Sequence, residues 1–219
     1  MTRWQAFVFD FDGVLADSVE VKTRAFEQLY LPHGPDVAAR VVKHHRTNGG
    51  MPRREKFHHY QYAFLGIPAT APDLDRLCTA FSGLVVDAVS SAKEIPGAEA
   101  FLRHWSSLIP LYVDSASPDK ELDVILRRRG LDHFFRQVYG SNGNKRENLA
   151  AILDHGGYTP DRVLFFGDAT SDLKAARTCG TGFIGLGAAP TSPLATLAEA
   201  IPLFGDFHAI QAHLGGTPL

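Results

Sequence analysis

A chain of 219 residues with formal net charge −2 shows no excess of basic side chains of the kind that marks a nucleic-acid or anionic-membrane partner. Its 45% hydrophobic and 21% charged content is that of a globular protein, and the length suits one α/β domain or such a domain carrying an insert. No apolar run is long enough to span a bilayer, Met1-Thr2-Arg3-Trp4 leads straight into the first apolar segment, and Cys78 and Cys179 lie far apart without metal-ligand spacing, so a cytoplasmic location is expected. Nothing in the sequence sets an oligomeric state.

In chain order, the first expected element is a strand through Phe7-Val8-Phe9, an apolar run of the kind buried on both faces. Two carboxylates and a glycine, Asp10, Asp12 and Gly13, follow at its end. Acids at the tip of a core strand are costly to bury unless something there pairs or uses them. A helix is expected from Val19 to Leu29 on the spacing of Val21, Ala25, Phe26 and Leu29. More helical stretches follow, broken at Pro32-His33-Gly34-Pro35, Gly49-Gly50, Gly66-Ile67-Pro68 and Ala71-Pro72, with no strand expected between Asp17 and Ala92.

From Ile95-Pro96-Gly97 onward strands and helices alternate. Helices are expected at Phe101 to Trp105, Glu121 to Arg129, Asn148 to His155 and Leu173 to Thr178. Strands are expected at Ile109 to Val113, Val138-Tyr139, Val163 to Phe166 and Phe183-Ile184-Gly185. That alternation predicts an α/β fold with a doubly wound parallel sheet. Residues 1–15 and 92–219 would form the Rossmann-like core, and 16–91 an inserted α-helical cap.

The insert has its own charge pattern. Between Arg40 and His59 six basic residues (Arg40, Lys43, Arg46, Arg53, Arg54 and Lys56) face one acid, Glu55, with His44, His45, His58 and His59 among them. Such a stretch is either a solvated helix face or a basic lid over an anionic substrate. The histidine pairs by themselves do not define a metal site.

Four short motifs stand just past successive expected strands: Asp10-Phe11-Asp12-Gly13, Ser115 in Val113-Asp114-Ser115-Ala116-Ser117, Lys145 after Tyr139-Gly140, and Gly167-Asp168-Ala169-Thr170-Ser171-Asp172. In a parallel sheet all four converge on one edge, where ligands of open α/β folds bind. In this order and over about residues 5–15 and 95–187, the motifs resemble the haloacid dehalogenase superfamily, in its phosphatase branch with a helical cap. The resemblance implies Asp10 as the nucleophile that becomes an aspartyl phosphate and Asp12 as general acid and base. It implies magnesium held by Asp10, Asp12 (through its backbone carbonyl), Asp168 and Asp172. Gly13, Ser115, Ala116 and Lys145 would bind the phosphoryl group.

The chemistry is coherent on its own terms. A carboxylate attacking a phosphate dianion needs a cation to relieve repulsion, and hard oxygen ligands suit magnesium. An acyl phosphate then splits one hard step into two easier ones. The acid at Asp12 argues against the dehalogenase and phosphonatase branches, and Asp12-Gly13-Val14-Leu15 lacks the run that marks the ATPase branch. The expected function is phosphomonoester hydrolysis of a small phosphorylated metabolite. The alternative is a sugar phosphomutase similar to β-phosphoglucomutase, and a non-catalytic phosphate-binding relative would have lost these acids. Gly50-Met51-Pro52-Arg53 resembles a cap loop that supplies an arginine to a second phosphate, which makes Arg53, with Arg54 and Lys22, the expected cap residues at the substrate. Two positions depart from the family pattern: Arg146 follows the lysine where proline is usual, and Asp114 stands where an apolar residue is usual.

Overall fold

The first strand, β1 (Ala6–Phe9), is wholly buried and sits at the centre of the sheet. The computed structural model describes residues 3–188, 192–197 and 200–215. Four helices follow β1: α1 (Val19–Tyr30), α2 (Pro35–Thr47), α3 (Arg53–His59) and α4 (Ala71–Ser90). No strand lies among them. The alternating part comprises α5 (Ala98–Ser106), β2 (Leu111–Asp114), α6 (Asp119–Arg128), β3 (Gln137–Tyr139), α7 (Lys145–Gly156), β4 (Val163–Gly167), α8 (Thr170–Cys179) and β5 (Gly182–Leu186). A two-residue edge strand, β6 (Leu203–Phe204), and a last helix, α9 (Phe207–His213), complete the described residues.

All pairings are parallel, in the order β3-β2-β1-β4-β5-β6, with Phe7 in register with both Leu111 and Leu164. Successive side chains of β1 point to opposite faces, so both faces need apolar cover. Phe7 and Phe9 join Phe101, Trp105, Phe166 and Phe207 on one face, with Phe7–Trp105 ring centroids 4.6 Å apart and Phe9 stacked on Phe166 at 4.7 Å. Ala6 and Val8 join Leu149, Ile152, Phe165 and Ala176 on the other. Trp4 and Trp105 are both buried in this half, and the Trp105 indole donates to Gln211 at 2.9 Å.

The elements differ from the sequence expectations mainly at their ends. Helix α7 begins three residues before the expected Asn148 because Asn144 and Glu147 form a capping box that satisfies the first-turn amides. The second strand starts at Leu111, after Pro110, whose missing N–H cannot join a ladder. Strand β6 and helix α9 had no counterpart in the sequence reading.

The helices α1 to α4 enclose an aromatic cluster of Phe26, Tyr30, Phe57, Tyr60 and Phe81, with Phe26 and Phe81 centroids 4.3 Å apart. They are seated on the sheet-bearing half by polar links. Arg129 donates to the backbone carbonyls of Val89 and Ala92 at 3.0 and 2.7 Å. The Gly49-Gly50 turn lies directly against the start of α8, where a Cβ on Gly50 would come within 1.8 Å of Ser171 Oγ.

Candidate active site

Asp10 leaves β1 and Asp168 leaves β4, the strand beside it, so the sheet order itself brings the first and fourth motifs together. Carboxylate oxygens of Asp10, Asp168 and Asp172 lie within 4.8 Å of one another. Lys145, the first residue of α7, pairs with Asp10 at 3.1 Å and Asp172 at 2.5 Å. Asp172 also accepts the amides of Asp168 and Ala169 at 3.1 and 3.0 Å, which fixes the turn after β4.

Three acids against one ammonium leave this cluster short of positive charge. Burial raises the Asp10 carboxyl; Lys145 opposes the rise, Asp172 and Asp12 add to it, and the result is about 7. Burial and the neighbouring Asp10 and Asp172 likewise push Asp168 well above the usual carboxylate range. Burial works against the Lys145 charge, but Asp10, Asp172 and Asp114 outweigh it and hold the ammonium protonated. Hard oxygen donors with unanswered negative charge fit a divalent cation of the magnesium type.

Asp12 faces a different set of partners. Its carboxylate accepts from Ser18 Oγ at 2.6 Å, Lys22 Nζ at 2.5 Å and Ser117 Oγ at 3.2 Å. Burial raises its proton affinity, yet the Lys22 charge and these hydrogen bonds prevail and hold it below the ordinary value. The Asp12 carboxylate is therefore outside the three-acid cluster, and any part it takes in metal binding falls to its backbone carbonyl. Ser18 and Ser117 were not among the expected site residues. Their role is visible only once α1 and the turn after β2 meet.

The remaining phosphate-site residues lie at the same edge. Ser115 is buried just past β2, its hydroxyl accepting the Ser117 amide at 3.2 Å, and Ala116 follows it on the cavity wall. Gly13 has φ +79°, and its amide donates to the Ala16 carbonyl at 2.8 Å. What glycine supplies there is room, since a Cβ would stand 2.3 Å from Asp168 Oδ2. Gly13→Ala is accordingly expected to reduce turnover by roughly tenfold or more while the chain stays folded, through backbone strain of about 1–3 kcal/mol and displacement of Asp168. Steady-state kinetics beside a melting curve checks this. Unchanged kcat would show that Asp168 has no fixed place to lose.

A cavity of about 400 Å³ opens between this edge and the helical segment, lined by Asp10, Asp12 and Asp168 on one side and by Lys22, Arg53 and Lys56 on the other. Of the three expected cap residues, Lys22 is at the site but bound to Asp12. Arg53 reaches the cavity, yet its guanidinium is held by both oxygens of Glu121 at 2.6 and 2.9 Å and by Ser82 at 2.8 Å. Arg54 does not line the cavity; it is half-exposed and paired with Asp75. Lys56 and His45, unmarked within the basic stretch, are buried in the cavity wall. The sequence signals for Lys56 were its membership of the basic stretch and its place one turn after Arg53 on the same helix face.

Asp114, the departure noted in the sequence, is fully buried at the end of β2, where its Oδ1 accepts from Asn148 Nδ2 at 2.9 Å. It adds a further acid to the field around Lys145.

The acid cluster and lysine at the carboxyl edge of this parallel sheet agree with what sequence comparison finds. The haloacid dehalogenase-like hydrolase family matches residues 4–180, and the chain belongs to that family. It is 28% identical over 191 residues to a phosphoglycolate phosphatase of Pseudomonas putida, covering 82% of this chain and 68% of that protein. It is 26% identical to a phosphorylated carbohydrates phosphatase of Thermotoga maritima over 80% of this chain and 82% of the relative. Among solved structures, a predicted phosphoglycolate phosphatase from Haemophilus somnus shares the fold with a TM-score of 0.74 at 20% identity, over 97% of this chain and 99% of that one.

Proposed function

We propose that the protein is a magnesium-dependent phosphomonoester hydrolase acting on a small phosphorylated metabolite, with Asp10 as nucleophile, Asp12 as general acid and base, and residues 16–91 as a cap over the site. The observation that carries this is the division of labour between two acids two residues apart. Asp10 faces the carboxylate–lysine cluster, whereas Asp12 faces two hydroxyls and an ammonium. One is placed to attack and the other to handle protons.

On this reading an Asp10 oxygen attacks phosphorus, the ester P–O bond breaks, and the leaving oxygen takes a proton from Asp12. Negative charge arriving beside Asp12 raises its proton affinity, which favours the acid form for that step. Asp12 then removes a proton from water, water oxygen bonds to phosphorus, and the Asp10–phosphorus linkage breaks to release phosphate. Lys145 and Ser115 hold the non-bridging oxygens, and the seated cap limits bulk water. Asp10, Asp168 and Asp172 would hold magnesium, whose contribution is to neutralise charge between the nucleophile and the phosphate. The free thiols of Cys78 and Cys179 are compatible with work in a reducing cytoplasm.

The phosphomutase alternative needs a cap arginine for a second phosphate, and Arg53 is engaged by Glu121 instead. The test is phosphate release from sugar phosphates, phosphoglycolate and nucleotides with magnesium and with EDTA, β-glucose 1-phosphate being followed for isomerisation as well. Magnesium-dependent release that EDTA abolishes is the expected result. Isomerisation without release would replace the hydrolase by the mutase.

A further inference from the structure

The cavity wall contributed by the helical segment holds a buried amine that no carboxylate among the described residues pairs with. Four cationic side chains line the cavity: Lys22, Arg46, Arg53 and Lys56. Lys22 is paired with Asp12 at 2.5 Å, Arg46 with Glu20 at 3.2 Å and Arg53 with Glu121 at 2.6 Å. Lys56 is only 2% exposed, and among the described residues no carboxylate comes within ion-pair distance of it. Its ammonium meets two neutral acceptors, His45 Nδ1 at 3.0 Å and the Gly49 carbonyl at 3.1 Å. An ammonium has three donors, so one remains for a ligand.

His45 fits the part of an orienting group. Burial and the adjacent Lys56 keep its ring neutral, down to about 3, so Nδ1 is free to accept from the lysine. The ring rests on Phe26, with centroids 4.8 Å apart. Burial, followed by repulsion from Lys22, lowers Lys56 itself to about 7, a strained condition for an ammonium that an arriving anion relieves.

Resting on the hydrolase reading, we infer that Lys56 is the specificity residue for the non-transferred end of the substrate, binding a single carboxylate there, and that the substrate is a phosphorylated hydroxy- or sugar acid longer than two carbons. One open cation matches one negative charge. A second phosphate dianion would bring excess negative charge into a wall that already includes Asp12, Asp168 and Glu20. The cavity volume is of the size that encloses a whole small molecule, and Val19, Phe26, Met51 and Phe81 offer apolar surface for a carbon skeleton between the two anionic ends.

The test compares ligands that differ only in the distal group: 6-phosphogluconate against glucitol 6-phosphate, and 3-phosphoglycerate against glycerol 3-phosphate, with fructose 1,6-bisphosphate and phosphoglycolate as further arms. Binding is read by calorimetry on the Asp10→Asn protein in magnesium, so the result does not depend on turnover. At least one acid should bind roughly thirtyfold more tightly than its neutral partner, as expected for a buried charge pair, and more tightly than phosphoglycolate. Adding Lys56→Met should bring each acid and its neutral partner near parity, and Lys56→Arg should restore part of the preference. Equal binding of acid and neutral forms, or tightest binding of the bisphosphate, overturns the inference. If phosphate release from every ester fails while the acids still bind through Lys56, the hydrolase reading falls and the recognition site stands.

Discussion

Asp10→Asn should lower phosphate release by about four orders of magnitude or more while the protein stays folded. An amide cannot act as the attacking oxyanion, and loss of a covalent nucleophile typically costs on that scale. The same substitution should raise stability at alkaline pH in EDTA. Burial and its acidic neighbours raise the Asp10 carboxyl from 3.8 to about 7, so the folded chain holds that proton more tightly than the unfolded one. A raised carboxyl makes the wild type lose stability as pH climbs from about 4 to about 7, and asparagine removes that loss. Melting curves at pH 5 and pH 8 should therefore separate the two proteins more at pH 8. Retained turnover would exclude Asp10 as nucleophile, whereas a lower melting temperature at pH 8 would show that its charge is satisfied in the fold.

Glu121→Ala should be the most destabilising single change outside the sheet core. Glu121 and Arg53 are 7% and 6% exposed and share two hydrogen bonds, with Ser82 completing the set. Removing one partner of a buried ion pair strands the other charge, at a cost of about 3–5 kcal/mol. The double change Arg53→Met with Glu121→Leu should recover most of this loss, since both charges then leave together. Because Arg53 belongs to α3 and Glu121 to α6, the pair also seats the helical segment on the sheet-bearing half, and KM should rise with the stability loss. Urea unfolding of the two variants beside the unsubstituted protein decides the point. A loss below about 1 kcal/mol for Glu121→Ala would mean that Arg53 finds water or another partner when left alone.

The sheet edge that carries the candidate site was legible in the sequence because its residues sit at fixed offsets from strands. Asp10, Ser115 and Asp168 each stand within two residues of the end of an apolar run, and parallel topology puts the ends of such runs together. The cavity wall contributed by the helical segment was not legible in that way. Sequence gives Arg53, Arg54 and Lys56 the same sign and nearly the same place; only the fold reveals that Glu121, 68 residues on, takes Arg53, that Asp75 takes Arg54, and that no carboxylate among the described residues takes Lys56. Lys22 shows its sign in the sequence, whereas its pairing with Asp12 shows only in the fold. Strand β6 escaped for a plainer reason: two residues at a sheet edge carry no periodicity to detect. Asp114 shows the converse. The sequence marks it as a departure from the pattern, and its buried place beside Asn148 comes from the packing of α7 on β2.

The placement of the two tryptophans has a practical consequence. Trp4 and Trp105 both lie in the sheet-bearing half, and the segment from Val19 to Ser90 carries tyrosine and phenylalanine instead. Indole emission is thus a built-in reporter of one half of the molecule, silent about the other. An engineered tryptophan at Phe81, which touches both Phe26 and the Arg53 guanidinium, would give the helical half its own optical voice.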